Sequence, residues 1–147
     1  MQGRRVHTIY LSGQFEDGLL LRQVSRELRD AGYTVTARWL DSAGGSPATA
    51  GAGQPGAATH LASIARQDLE DIVGADLVVV FNPPEACSLG RGGRHVETGY
   101  ALALGKRLIL VGARGNVFHW LPDVTVVPDW AALHRLLLSE PHASPRL

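Results

Sequence analysis

Two acidic residues stand where an ordinary helix face would be apolar. Asp68 lies four residues after Ile64 and four before Ile72, so the three share one face of a helix. Glu97 shares a stripe with Tyr100, Ala101 and Leu104. A carboxylate on an inward face is costly unless it is paired, hydrogen-bonded or lining a cavity. Two such acids near one crevice suggest a carboxylate pair for general acid–base or nucleophilic work. Plainer readings stand beside this one. Asp68 can cap a loop or pair with Arg66, and Glu97 can pair with Arg94, three residues earlier on the same helix. The approach to Glu97 runs Gly90-Arg91-Gly92-Gly93-Arg94-His95. That is glycine-rich for a plain helix start, and glycines let a ligand approach the backbone.

Other chemistries find no support. The GRGGRH run is not GxGxxG, because His95 takes the place of the third glycine, and there is no Walker lysine. The six histidines show no ligand spacing, HExxH is missing, and so is the GxSxG elbow. Cys87 is the one cysteine, which excludes an internal disulfide and any CxxC site, and no base partner for it stands out. The 14 basic and 14 acidic residues cancel, and Lys106 is the single lysine among the cations. A neutral chain argues against a polymeric nucleic-acid partner but not against a small anion, which needs only a few local cations. No apolar run approaches the ~20 residues that span a bilayer. MQGRR leads into a strand rather than a signal-peptide core, so a cytoplasmic protein without metal or organic cofactor is expected.

The elements that must position these residues alternate. Val6 to Leu11 reads as a strand, and Leu20, Val24, Leu28 and Ala31 recur at helical spacing before Gly32. Tyr33 to Leu40 alternates like a second strand. Residues 42 to 58 are Gly, Ala, Ser and Pro without periodicity, a flexible loop that can serve as a lid. Thr59 can cap a helix with Leu61, Ala65, Leu69 and Val73 facing inward. Asp76 to Phe81 is a buried strand, followed by a Pro and Gly loop and a helix from about Arg94 to Leu104. Arg107 to Val111 is a fourth strand, Val117 to Leu121 a short helical turn, and Val124 to Val127 a fifth strand. Asp129 caps the last helix, and residues 139–147 form a tail after a domain spanning 1–138. Strand–helix alternation implies a doubly wound α/β fold with a five-stranded parallel sheet. The expected flavodoxin-like order is 2-1-3-4-5, with ligands at the carboxyl ends of strands 1 and 3.

Three stretches resemble the nucleoside 2-deoxyribosyltransferase family, including its relatives that hydrolyse nucleoside 5′-monophosphates. They are YLSGQF at 10–15, D-L-x-x-I-x-x-A-D at 68–76 and V-E-T-G-Y-A-L-A-L-G-K at 96–106, within a likeness covering about residues 8–138. The resemblance implies the same flavodoxin-like fold. It makes Glu97 the nucleophile that forms a glycosyl–enzyme intermediate, resolved by water or a second base. It makes Asp68 the second acid, which protonates or positions the leaving base. Tyr100 follows Glu97 by three residues, so its hydroxyl is a candidate to orient the carboxylate. Ser12, Gly13, Gln14 and Phe15 match the ligand-holding loop after strand 1, although Phe15 can equally be packing.

The chain also departs from the transferase pattern. Where deoxyribosyltransferases carry an acid six positions before the nucleophile, it has Arg91, with Arg94 nearby. Guanidinium groups with the amides of Gly90 and Gly93 and the hydroxyls of Ser88 and Ser12 make a phosphate-binding set. The alternative is that both arginines are solvated loop charges. Trp39, with Arg38, can wall a base pocket or be an edge aromatic. In the hydrolase branch, a segment like GNVFHWLP lends a polar residue to the neighbouring subunit. His119 falls at about that place here, with Asn116 the alternative, which implies a homodimer with shared sites. Phe118 and Trp120 read more simply as interface or core aromatics. The expected function is an N-glycosidase acting on a nucleoside 5′-monophosphate. The alternatives are a base-exchanging 2-deoxyribosyltransferase and a non-catalytic nucleotide sensor.

Overall fold

The computed structural model describes residues 5–41, 56–84, 87 and 92–138. Five strands, β1 (Thr8–Ser12), β2 (Thr34–Val35), β3 (Leu77–Asn82), β4 (Arg107–Gly112) and β5 (Val124–Val127), form one sheet. All neighbours pair in parallel, in the order β2-β1-β3-β4-β5. This is the expected flavodoxin-like order, and it reverses between β1 and β3. β3 is buried along its whole length, which its unbroken Val-rich run requires of a strand covered on both faces. Among the described residues four helices cover the sheet: α1 (Gly18–Asp30), α2 (Ala57–Val73), α3 (Gly93–Ala103) and α4 (Trp130–Leu138). α2 packs against α3, and α3 against β1, β3 and β4. α1 and α4 are tied together by the Trp130 indole donating to Glu27 at 2.7 Å. No helix among the described residues is long and apolar enough to cross a membrane.

Several local expectations are corrected. The second strand is two residues long, not eight. Arg38 N–H donates to the Asp71 carboxylate at 2.9 Å and Thr36 Oγ1 to the Asp71 carbonyl at 2.9 Å, so the chain leaves the ladder for α2. Arg38–Asp41 closes instead into a single 3-10 turn. On α1 the inward residue is Leu21, fully buried, while Leu20 is exposed. α2 begins at Ala57 after Gly56, whose φ of 83° is in the left-handed region, so Thr59 lies inside the helix rather than at its cap. Its buried face carries Asp71 and Ile72, and Val73 faces solvent. The caps called for at the C-terminal end hold: Asp129 Oδ1 accepts from Ala132 N–H at 2.8 Å. Residues 42–55 of the expected loop and the 139–147 tail lie outside the described residues.

Candidate active site

β1 supplies the floor. Its residues alternate across the sheet, so Tyr10 and Ser12 point to the face on which α3 lies. Tyr10 is fully buried, and its hydroxyl donates to Oε2 of Glu97, in the second turn of α3. Glu97 is half-buried. Burial pushes its carboxyl up to about 8, Asp68 adds to the rise by repulsion, and the Tyr10 and Ser12 hydroxyls oppose it. Ser12 Oγ is buried near Glu97 but has no partner in good hydrogen-bond geometry. The Tyr10 hydroxyl is held far above its ordinary value by burial and by the charges of Glu97 and Asp68, so it stays a proton donor to the carboxylate.

Asp68 approaches from α2. It is half-buried, and its Oδ1 is fully enclosed without a hydrogen-bond partner. It neither caps a loop nor pairs with Arg66. Burial and the neighbouring Asp71 carboxylate raise its carboxyl to about 6, against a smaller opposing effect of Arg38. The helix-face reading with Ile64 and Ile72 therefore placed Asp68 correctly, although the broader stripe drawn for α2 did not. Between about pH 6 and 8 the two carboxyls hold one proton between them.

Tyr100 is half-buried against the core and gives no hydrogen bond to Glu97; that role falls to Tyr10. Tyr10 was missed as a site residue because it reads as a core aromatic of a strand. The available signal was its place two residues before Ser12 on the same strand face.

The loop after β1 is built to approach the site closely. A Cβ on Gly13 would meet Leu21 Cδ1 at 2.7 Å, so only glycine passes without repacking. Gln14 is buried and donates to the Cys87 carbonyl at 3.0 Å, tying this loop to the one after β3. Phe15 and Trp39 face each other at 6.5 Å between ring centroids, and the Trp39 indole donates to the Leu11 carbonyl at 2.9 Å. Arg38, drawn alongside Trp39 as a pocket wall, turns instead to α2.

Arg94 is not a solvated loop charge. It is 6% exposed, and its Nε donates to Asn82 Oδ1 at 3.1 Å, at the end of β3. Asn82 Nδ2 in turn donates to the Ala113 carbonyl at 2.6 Å. Gly112, at a φ of 117°, lets β4 end against the Asn82 carbonyl, where a side chain would collide. Gly93 opens α3 at the surface. His119 is 1% exposed within its own chain, and its Nδ1 accepts from Gly115 N–H at 2.8 Å. It lies 6.2 Å from the His95 ring, turned inward rather than outward to a neighbour. Burial and nearby Arg94 push both histidines below their ordinary value. Asn116 Oδ1 caps the Val117–Trp120 turn by accepting from Phe118 N–H at 3.0 Å. Ser88, Gly90 and Arg91 lie outside the described residues. The described residues contain no group of three or more His, Cys, Asp or Glu poised to hold a metal.

No family model matches the chain, and no curated protein sequence matches it significantly. Solved structures do. A 2-deoxyribosyltransferase from Bacillus psychrosaccharolyticus is 25% identical, with a TM-score of 0.59, over 86% of this chain and 89% of that one. The CMP N-glycosidase BcmB of Clostridium botulinum is 16% identical, with a TM-score of 0.53, over 90% of this chain and 96% of that one. The chain thus has the fold of these proteins, and the resemblance to the nucleoside 2-deoxyribosyltransferase family is met in structure as well as in motifs.

Proposed function

We propose that the chain is an enzyme of glycosyl chemistry that cleaves the base–sugar bond of a nucleoside 5′-monophosphate. One observation carries this reading: two carboxyls of raised proton affinity meet at the sheet's switch point, one of them held by a buried tyrosine hydroxyl. Near neutrality the shared proton rests mostly on Glu97, so the reactive form is the minor one in which Asp68 carries it. In the first step, from that form, an oxygen of ionised Glu97 attacks the anomeric carbon. The carbon–nitrogen bond breaks, its electron pair goes to the base, and Asp68 gives the base its proton. In the second step water attacks the same carbon, the ester to Glu97 breaks, and the water's proton passes to Asp68. Each step inverts the anomeric centre, so the product retains the starting configuration. Tyr10 steadies the Glu97 carboxylate and, when the ester breaks, the charge that returns to it.

Phe15 and Trp39 form the aromatic surface on which the base rests, and Ser12, Gly13 and Gln14 line the sugar side. Arg94 and Gly93, at the start of α3, supply the phosphate end, together with Ser88, Gly90 and Arg91. The segment Val117, Phe118 and Trp120 is 76%, 61% and 70% exposed, an apolar face for a second copy of the chain. The dimer then brings Asn116 toward the shared region, with His119 serving its own chain.

The test is a panel of ribo- and deoxyribonucleoside monophosphates scanned for free base by chromatography, with Glu97→Gln alongside. Base release by the wild type and none by the folded variant supports the reading; full activity in the variant overturns it. The Bacillus neighbour, a 2-deoxyribosyltransferase, favours a second reading, base exchange between nucleosides. Exchange from a deoxynucleoside to a different free base, indifferent to a 5′-phosphate, would establish that reading instead.

A further inference from the structure

Asp71 is a buried carboxylate on α2, one turn beyond Asp68 and 6% exposed, that the proposed chemistry does not use. Arg38 meets it through both backbone and side chain: its N–H donates to Oδ2 at 2.9 Å and its Nε to Oδ1 at 2.7 Å. The far end of the guanidinium reaches the Gln67 carbonyl at 3.3 Å and Glu70 Oε2 at 3.2 Å. Residues 36–41 are thereby fastened to α2 by Thr36 and Arg38, to β1 by Trp39, and to α1 by Arg22, which donates to the Leu40 carbonyl at 2.8 Å. A two-residue β2 gives little ladder to hold this segment, so side chains do it.

Building on the glycosidase reading, we infer that Arg38 and Asp71 are positioning residues that hold Asp68 and the Trp39 wall in one frame and keep Asp68 able to give a proton to the departing base. The charged and titratable groups facing Asp68 are Asp71 on its own helix, Arg38 from the 3-10 turn, Glu97 from α3 and Tyr10 from β1. Asp71 favours the protonated form of Asp68 and Arg38 the ionised form, so the pair sets a balance rather than a single bias. An ion pair that fastened the turn to α2 but lay apart from Asp68 would lose stability in either variant without moving the Asp68 midpoint.

The experiment is carbon-13 NMR of the Asp68 carboxyl in free protein carrying Glu97→Gln, which removes the coupled partner. Arg38→Met should raise the Asp68 midpoint and Asp71→Asn should lower it, each by on the order of one pH unit. Arg38→Lys should leave it nearly in place, because the charge remains. Should Arg38→Met fail to fold, Arg38→Gln carries the same test at this half-exposed position. Midpoints that move together, or not at all, overturn the inference. The titration needs no turnover, so a chain that releases no base would sink the glycosidase reading while leaving this result to stand or fall by itself.

Discussion

The Tyr10 hydroxyl on β1 donates to Oε2 of Glu97 on α3, so a core strand residue holds the proposed nucleophile. A hydrogen bond to a charged group contributes about 1.5–3 kcal/mol, and that is gained as charge returns to Glu97 when the ester breaks. Tyr10→Phe keeps the ring in a fully buried site and removes only the donor. We expect kcat for base release to fall about 10- to 100-fold with KM little changed. Steady-state kinetics check this, and an unchanged kcat would remove Tyr10 from the machinery.

The pH profile follows from the pair. Below about 6 both carboxyls are protonated and the nucleophile is lost. Above about 8 both are ionised, the acid is lost and the charges repel. Base release should therefore trace a bell with limbs near these values and a maximum near 7. Asp68→Asn should lower kcat by about 100- to 10,000-fold. It should also move the Glu97 titration downward, since Asp68 is one of the groups that raise it. A profile that varies by less than about threefold from pH 5 to 9 would contradict the assignment.

The nucleophile should cost stability. In the unfolded chain Glu97 loses its proton near the ordinary value of 4.5, but in the folded protein it keeps it to about 8. As pH rises through that window the unfolded state binds fewer protons, so folding stability declines and then levels off. Glu97→Gln removes the titrating group and keeps an acceptor for Tyr10. Its melting temperature should match the wild type near pH 4.5 and exceed it by ~10 °C or more at pH 8.5. Calorimetry at the two pH values checks the sign; a variant less stable at pH 8.5 would show that Glu97 is well solvated or paired.

Much of this was readable from local pattern. Unbroken Val-rich β3, the Gly-terminated helices and the Asp129 cap are signals carried by adjacent residues, and the sheet order follows from their alternation. Asp68 and Glu97 stood out because a charge interrupts an apolar spacing. What stayed hidden depends on contacts distant in sequence. Tyr10 and Glu97 are 87 positions apart, and apart from its place two residues before Ser12 nothing near Tyr10 distinguishes its hydroxyl from that of any strand tyrosine. The shortness of β2 likewise comes from Asp71, 33 positions from Arg38, which takes the donor a longer strand would have used. That Arg94 is buried was hidden because its partner, Asn82, is 12 positions away in sequence.

Trp39 tests the base wall separately from the acids. Its indole is fixed by the Leu11 carbonyl and its ring faces Phe15, while Glu97 and Asp68 belong to α3 and α2. An aromatic stacked on a base contributes about 1–3 kcal/mol, and that contact is present equally before and during bond cleavage. Trp39→Leu should therefore raise KM roughly 10-fold or more and leave kcat within about threefold. Trp39→Phe should recover part of the affinity, since it restores a ring but not the indole donor to Leu11. A variant that loses kcat while keeping KM would place Trp39 with the reacting groups instead. Equal affinity in all three proteins would mean that the base rests elsewhere, and that the Phe15–Trp39 pair serves packing alone.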